Sequence, residues 1–216
     1  MRCRSGTVIH CRLHGSRRGP IRLQSNPPPG ELTGAGPGRW IQALNFSVNG
    51  LLYLGLAAGL AHRGDAATPR AGPLLIGAAG LGQIIAGLFT TDPVSGYPPG
   101  TPATLDHYGR AGARVHDLVA VPVFLGIPAA ALLWARTFAR HGCRRWSRYS
   151  GTTAGTMVIG FMLTSAAFAQ APVLAPIGGL LQRLTVTLDM GWLSALSVQA
   201  LITPPPPSQA AKSIDR

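Results

Sequence analysis

Five stretches of the chain are long and apolar, and the charged residues gather mainly between and before them. The hydrocarbon core of a bilayer is about 30 Å thick and needs roughly 20 apolar residues of α-helix to cross it. Inside it, backbone polar groups have to be satisfied within the segment, which favours helices. We therefore predict five membrane-spanning helices. They lie within Trp40–Leu60, Ala71–Thr91, Leu118–Ala135 with an earlier start near Ala113, the part of Tyr149–Gln182 before about Pro172, and Leu184–Ile202.

The composition of these stretches predicts an all-α integral membrane bundle. Apolar and polar residues do not alternate with period two, as the strands of a membrane β-barrel would require. Glycines at four-residue spacing, Gly55 with Gly59 and Gly151 with Gly155, predict close approaches between helices. Trp134 lies near the end of the third stretch, where an aromatic anchor at the membrane interface is expected.

The two ends of the chain differ from its middle. Residues 1–39 are rich in Arg, Gly and Pro, and residues 203–216 begin with four prolines after a threonine. Neither segment has an apolar run long enough to cross a membrane, and both are predicted to be disordered. The domain organisation expected is therefore a bundle at residues 40–202 between two disordered ends.

The large net charge of the chain does not change the prediction of a membrane protein. The chain has 19 Lys and Arg against 7 Asp and Glu, a net charge of +12. Such a balance is typical of nucleic-acid binders when the basic residues share a soluble surface, but here they flank apolar stretches. We predict no nucleic-acid partner and take the lipid bilayer as the partner. The three cysteines fit neither a disulfide framework nor a zinc pattern, so no metal and no cofactor are predicted.

Short loops rich in arginine stay in the cytoplasm. The loop at residues 136–148 holds five arginines, so we place it and the C-terminus in the cytoplasm of a multi-pass cell-membrane protein. This leaves the seven arginines of residues 1–39 outside. One further helix before Trp40 would remove that conflict, which indicates a six-helix ancestor whose first helix is missing.

Several motifs resemble the domain-of-unknown-function 998 family of prokaryotic multi-helix membrane proteins. They are NGLLY at 49–53, GLFTTDP at 87–93, GRAGARVHDL at 109–118 and GGLLQRLTV at 178–186, followed by Trp192. The resemblance covers about residues 40–202. It implies a membrane location and a bundle of typically six helices, without an established reaction.

Two groups of residues are candidates for chemistry. Asp92, His116 and Asp117 lie in or beside one loop predicted to face outside, and such residues act as acids, bases or proton relays. Asp92 stands before a proline, so a turn-shaping role is the alternative. Asp117 near a helix start also favours the helix dipole.

The second group lies within the predicted spans. Asp189 is an acid inside the fifth stretch, where it should face the bundle interior and meet a partner such as Gln83, Asn45 or Asn49. Arg183 is six residues earlier and points to another face of the helix, so it is expected to extend to the interface.

Three functions remain open from the sequence. The first is a non-enzymatic membrane protein that senses, scaffolds or binds a lipid or partner, and scarce intramembrane charge favours it. The second is a small proton-coupled carrier that uses Asp189. The third is an intramembrane enzyme with Asp92, His116 and Asp117 at the outer face, although no nucleophile motif is present.

Overall fold

The computed structural model describes residues 39–63, 68–92, 102, 107 and 109–203. These residues are helical or in turns, which confirms the all-α prediction for this part of the chain. The two ends predicted to be disordered lie outside the described residues, apart from Arg39 and Thr203. The helices are α1 (Arg39–Arg63), α2 (Gly72–Leu88), α3 (Ala111–Arg140), α4 (Arg144–Phe168) and α5 (Gly178–Ile202), with a 3-10 turn at Ala175–Ile177 before α5.

The helices pack in chain order as an arc. Each helix from α1 to α4 lies along the next one, whereas α1 and α5 are not packed along each other. A short turn between α3 and α4 contains Gly142, whose φ of 73° is readily adopted only by glycine. We call the end of the bundle that holds this turn the arginine end, and the opposite end the loop end.

Four of the described helices are long and apolar enough to cross a membrane, namely α1, α3, α4 and α5. The 17 residues of α2 are equally apolar and rise about 26 Å, at the short limit for a span. Large apolar side chains stay exposed on the outer surface, among them Leu74, Leu118 and Leu201, which are 71–84% exposed. A surface of this kind suits hydrocarbon better than water.

The bundle is closely packed at the arginine end, where a cavity of only about 60 Å³ remains beside Trp134. Trp134 of α3 and Trp192 of α5 meet edge to face with ring centroids 5.9 Å apart, and both are almost fully buried. The indole N–H of Trp192 donates to Ser150 Oγ at 3.1 Å. The prediction that Trp134 anchors the chain at the membrane interface is therefore wrong, because its ring fills the space between helices.

An arginine joins α1 to α5 at this same end. The Arg63 guanidinium donates to the backbone carbonyl oxygens of Ala200 and, at 2.8 Å, of Thr203. These carbonyls belong to the last turn of α5 and have no acceptor role within the helix. The ends of α1 and α5 are thus held near each other although the helices are not packed along their length.

Glycines allow α1 and α2 to approach closely, at positions other than the predicted Gly55 and Gly59. Of the predicted pair on α4, Gly151 lies in ordinary contact with α3, since a Cβ there would be 3.8 Å from the Ala135 Cβ. A Cβ placed on Gly50 would lie 2.5 Å from the backbone oxygen of Gly80. By contrast, a Cβ on Gly55, Gly59 or Gly155 would meet no described atom within 4 Å. The expectation of close contacts at those positions is wrong because they lie on the outer faces of their helices.

This difference gives a matched pair of variants on α1. Gly50→Ala forces a methyl group into the α2 backbone and should lower stability by about 1–3 kcal/mol. Gly55→Ala meets open space and should be neutral or stabilising by up to about 1 kcal/mol, since alanine favours helix. Thermal unfolding of the detergent-purified protein, followed by tryptophan fluorescence, measures both. Equal midpoints for the two variants would contradict the close α1–α2 contact.

Candidate functional site

The loop end of the bundle is hollow. A cavity of about 460 Å³ lies among α1, α2, α3 and α5, on the side where α1 and α5 do not pack together. Its apolar wall is formed by aromatic and aliphatic side chains, including Phe46, Val123, Phe124, Val186 and Met190. Its polar side chains are the amides of Gln42, Asn45, Asn49, Gln83 and Gln182, together with His116, Arg183 and Thr187.

His116 of α3 is 5% exposed and joins the cavity to the end of α2. Its Nδ1–H donates to the backbone oxygens of Phe89 at 2.7 Å and Ala86 at 3.1 Å. Carbonyl oxygens only accept, so the proton of the neutral ring has to be on Nδ1. Nε2 is then an acceptor. The histidine therefore caps α2 through Nδ1 and leaves the Nε2 lone pair of the neutral ring without a hydrogen bond among the described residues.

The amides of α1 form one face of the helix. Gln42, Asn45 and Asn49 recur at spacings of three and four residues and all line the cavity. Asn49 Nδ2 donates to Asn45 at both its backbone oxygen, 2.8 Å away, and its side-chain oxygen, 2.9 Å away. Asn49 Oδ1 and Asn45 Nδ2 make no hydrogen bond with another described residue, so a polar strip faces the cavity.

Asp92 does not share the cavity with His116. It follows α2 by four residues and accepts hydrogen bonds from Gly109 N at 2.7 Å and Arg110 Nε at 3.0 Å. Arg110 Nη2 also donates to the Thr91 backbone oxygen at 2.8 Å. These contacts tie the segment after α2 to the residues that begin α3.

Burial acts to raise the pKa of the Asp92 carboxyl, but the hydrogen bonds from the Arg110 side chain and from the Gly109 and Arg110 amides outweigh it, so its pKa is below the ordinary value. A carboxylate held in this way stays ionised at neutral pH and is already bonded. Asp117 is exposed on α3 and does not line the cavity. Of Asp92, His116 and Asp117, only His116 reaches the cavity.

Asp189 lies inside the bundle. Its side chain is 2% exposed, and its Oδ1 has no hydrogen-bond partner in the structure. Tyr53 of α1 lies within electrostatic range. The expected hydrogen bonds to Gln83, Asn45 or Asn49 do not form among the described residues. Those amides line the cavity, whereas Asp189 does not.

Arg183 is exposed on α5 and lines the cavity, one turn before Thr187 on the same face. Thr187 Oγ1 donates to the Arg183 backbone oxygen at 2.8 Å. Among the described residues, no three His, Cys, Asp or Glu side chains come together as metal ligands would. The polar groups of the cavity are therefore mainly neutral amides, with an imidazole and one guanidinium.

Sequence reasoning missed Gln42 and Gln182 as cavity residues. The signal for Gln42 was present, since an amide at every third or fourth position of an otherwise apolar helix marks one polar face. Gln182 was visible only as part of the QR motif at the start of the last stretch. The neighbours of a glutamine at a helix start depend on tertiary packing, which a single helical pattern does not contain.

Long apolar helices, an apolar outer surface and a partly polar cavity define a multi-pass helical membrane protein. The profile of the family described as "Protein of unknown function (DUF998)" matches residues 31–199. The chain belongs to this family. Comparisons with curated proteins and with solved structures found no match.

The contacts of Asp92 give a test of its role in joining α2 to α3. Asp92→Asn removes the charge and one acceptor, and should lower stability by about 1 kcal/mol. The Arg110 side chain is 55% exposed, so solvent screens its share of this effect. Thermal midpoints of the wild type, Asp92→Asn, Arg110→Gln and the double variant form a cycle that isolates the pair.

The same variants make a pH prediction. The carboxyl has a lowered pKa in the folded protein, so its stabilisation is complete above the unfolded value near 3.9 and is lost as the pH falls through the folded value. The stability gap between the wild type and Asp92→Asn should be constant from about pH 5 to pH 7 and shrink below about pH 4. A gap that shrinks on rising from pH 5 to pH 7 would exclude this account.

Proposed function

We propose that this protein is a non-enzymatic membrane protein that binds an amphipathic membrane molecule, such as a lipid, in the cavity at the loop end. The observation that carries the proposal is a cavity with a polar strip on α1, α2 and α5 and an apolar wall of Phe46, Phe124 and Met190. Its volume lies within the range of small-molecule sites.

The position of the opening supports a ligand that arrives from the bilayer. The cavity lies where α1 and α5 are not packed together, and the side chains of Asn45 and Thr187 at its edge are exposed. A site that is open toward the bilayer admits the acyl chain of a lipid from the side, while the polar headgroup of that lipid stays near the end of the bundle. An amphiphile satisfies both sides of such a cavity.

The enzyme hypothesis receives less support. It needs an acid, base or nucleophile on a shared pocket with geometry for reaction. Asp92 is bonded to Arg110 and Gly109, Asp117 is exposed, and the cavity lining includes no carboxylate. His116 alone supplies a titratable acceptor there, which suits hydrogen bonding to a ligand.

The carrier hypothesis depends on a polar path to Asp189. Val186 and Met190, which line the cavity, are its neighbours on α5, but Asp189 itself is not part of the lining. Such a carrier would also need a route from Asp189 to the arginine end, where Trp134 and Trp192 fill the interior. The binding hypothesis needs neither feature.

The proposal includes five spans, with α2 as the shortest, and a cytoplasmic arginine end. The positive charge of residues 136–148 supports that orientation. A further helix before Arg39, which the family resemblance implies, stays a prediction. Residues 1–38 are outside the described part of the chain.

Filling the cavity tests the proposed binding. Ala120 of α3 lines it, and Ala120→Trp adds an indole to the space that a ligand would occupy. Lipid retained by the detergent-purified protein, measured by mass spectrometry, should fall at least fivefold. Ala139→Trp places the same side chain on an exposed position at the arginine end of α3 and should retain lipid. Equal retention by both folded variants would contradict the proposal.

The orientation is tested with the exposed Cys143, which lies in the arginine-end turn. In a Cys3→Ser, Cys11→Ser background, a membrane-impermeant maleimide should label Cys143 only after cells are lysed. A second variant, Cys143→Ser with Val173→Cys in that background, places a thiol on an 84% exposed loop-end position and should label in intact cells. The reverse pattern would place the arginine end outside.

A further inference from the structure

The floor of the cavity carries a buried amide that the protein itself does not satisfy. Gln83 of α2 is 6% exposed and lines the cavity. It makes no hydrogen bond with any other described residue. Its amide atoms are not among the fully buried polar atoms without a partner, so they reach the cavity. There, an amide that bonds to neither water nor ligand costs free energy. A partner from outside the chain is therefore expected at this position.

The lining of the same cavity includes an acceptor, on His116. Gln83 and Ala86 lie on one face of α2, and His116 bonds to the Ala86 backbone oxygen. Because Nδ1 of His116 is the donor to two carbonyls, Nε2 of the neutral ring can only accept. Gln83 offers both an N–H donor and an oxygen acceptor. A ligand group that satisfies both residues has to donate as well as accept.

The amides of α1 impose the same requirement. Asn49 gives its N–H groups to Asn45, which leaves Asn49 Oδ1 as an acceptor and Asn45 Nδ2 as a donor. Gln42 adds another donor and another acceptor to the lining. The cavity lining therefore includes both hydrogen-bond donors and hydrogen-bond acceptors.

A ligand with only anionic oxygens does not match this set. A phosphate accepts hydrogen bonds and would leave His116 Nε2 and the amide oxygens unsatisfied. The one guanidinium of the lining, Arg183, would attract an anion, but it is exposed and solvent screens this attraction. Hydroxyl groups both donate and accept, and several hydroxyls on one small scaffold match several amides at once.

We infer that the cavity binds the polyhydroxylated headgroup of a lipid, such as one carrying glycerol or a sugar, with Gln83 and His116 as hydrogen-bond partners at its floor. This inference rests on the proposed function, since it names the ligand class of the same cavity. The acyl chain of the lipid lies against Phe124, Val186 and Met190 and leaves between α1 and α5.

The experiment compares lipids that share acyl chains and differ in headgroup. The full-length protein in detergent is titrated with phosphatidylglycerol, a glycosyl diacylglycerol, phosphatidic acid and phosphatidylcholine, and binding is read by native mass spectrometry. Both hydroxylated lipids should bind about tenfold more tightly than the other two, since two or three additional hydrogen bonds are formed. Free glycerol and free glucose at the same concentrations should not compete.

Variants connect the preference to the floor of the cavity. Gln83→Leu keeps the side-chain size and should remove the headgroup preference while leaving binding of phosphatidylcholine unchanged. Gln42→Leu changes a partly exposed position and should reduce the headgroup preference. This variant provides the test if Gln83→Leu does not fold. Gln199→Leu removes an amide at the arginine end, away from this cavity, and should change nothing.

The outcomes separate this inference from the proposed function. Equal binding of all four lipids, or a preference for phosphatidic acid, overturns the inference and leaves the proposed function in place. A preference that Gln83→Leu and Gln42→Leu both retain also overturns it. Competition by free sugar shows a soluble ligand and overturns the lipid source. Absence of binding by any lipid overturns the inference and the proposed function together.

Discussion

The contact between Trp134 and Trp192 sets the shape of the interior. Two large rings fill the space among the helices at the arginine end, and Arg63 holds the ends of α1 and α5 near each other there. At the loop end, the residues that line the interior include alanines, such as Ala86 and Ala120, and several amides. The cavity at the arginine end is therefore only about 60 Å³, against about 460 Å³ at the loop end, because side-chain volume is unequal along the axis of the bundle.

Polar side chains near the loop end mainly satisfy backbone groups where helices begin or end. The bonds of His116 to two carbonyls satisfy the end of α2, and those of Asp92 satisfy amides at the start of α3. Both are polar residues used to satisfy backbone groups where helices stop. Gln83 differs, since no backbone or side-chain partner among the described residues takes its amide. Because this amide lies in the cavity, a bound ligand could supply its missing hydrogen bonds.

Much of the fold could be predicted from the sequence, because long uncharged stretches have few other stable solutions in a membrane. The stretches located all five helices, but α3 and α5 extend beyond them, to Arg140 and back to Gly178, since polar residues continue a helix past the hydrocarbon. Trp134 was assigned to the interface from its position near a predicted end. Its burial depends on Gly72 of α2, which has no side chain and leaves room for the ring. This contact between α2 and α3 belongs to the tertiary structure, which the position of Trp134 in the sequence does not indicate.

The candidate site was harder to predict. His116 was found because it is an unusual residue near a span, and it does reach the cavity. Asp92 and Asp117 were predicted to join it because of their closeness along the chain. Asp117 lies on a different face of α3, since a helix turns neighbouring residues apart, and Asp92 is bonded to Gly109 and Arg110 instead. Asn45, Asn49 and Gln83 were predicted to be partners of Asp189, because an acid within a membrane span requires a hydrogen-bond partner. Helix packing decides which polar helix faces turn toward one another. The cavity is therefore a feature of the tertiary structure that the pattern of a single helix does not contain.

The most direct measurement is an electron cryomicroscopy structure of the full-length protein, with a bound antibody fragment, in nanodiscs made from the membrane lipids of its host. We expect density for a headgroup within hydrogen-bond distance of the Gln83 amide and His116 Nε2. We also expect density for an acyl chain that leaves between α1 and α5. Direct packing of α1 on α5 with no cavity between them, or a cavity that holds only water, would contradict it.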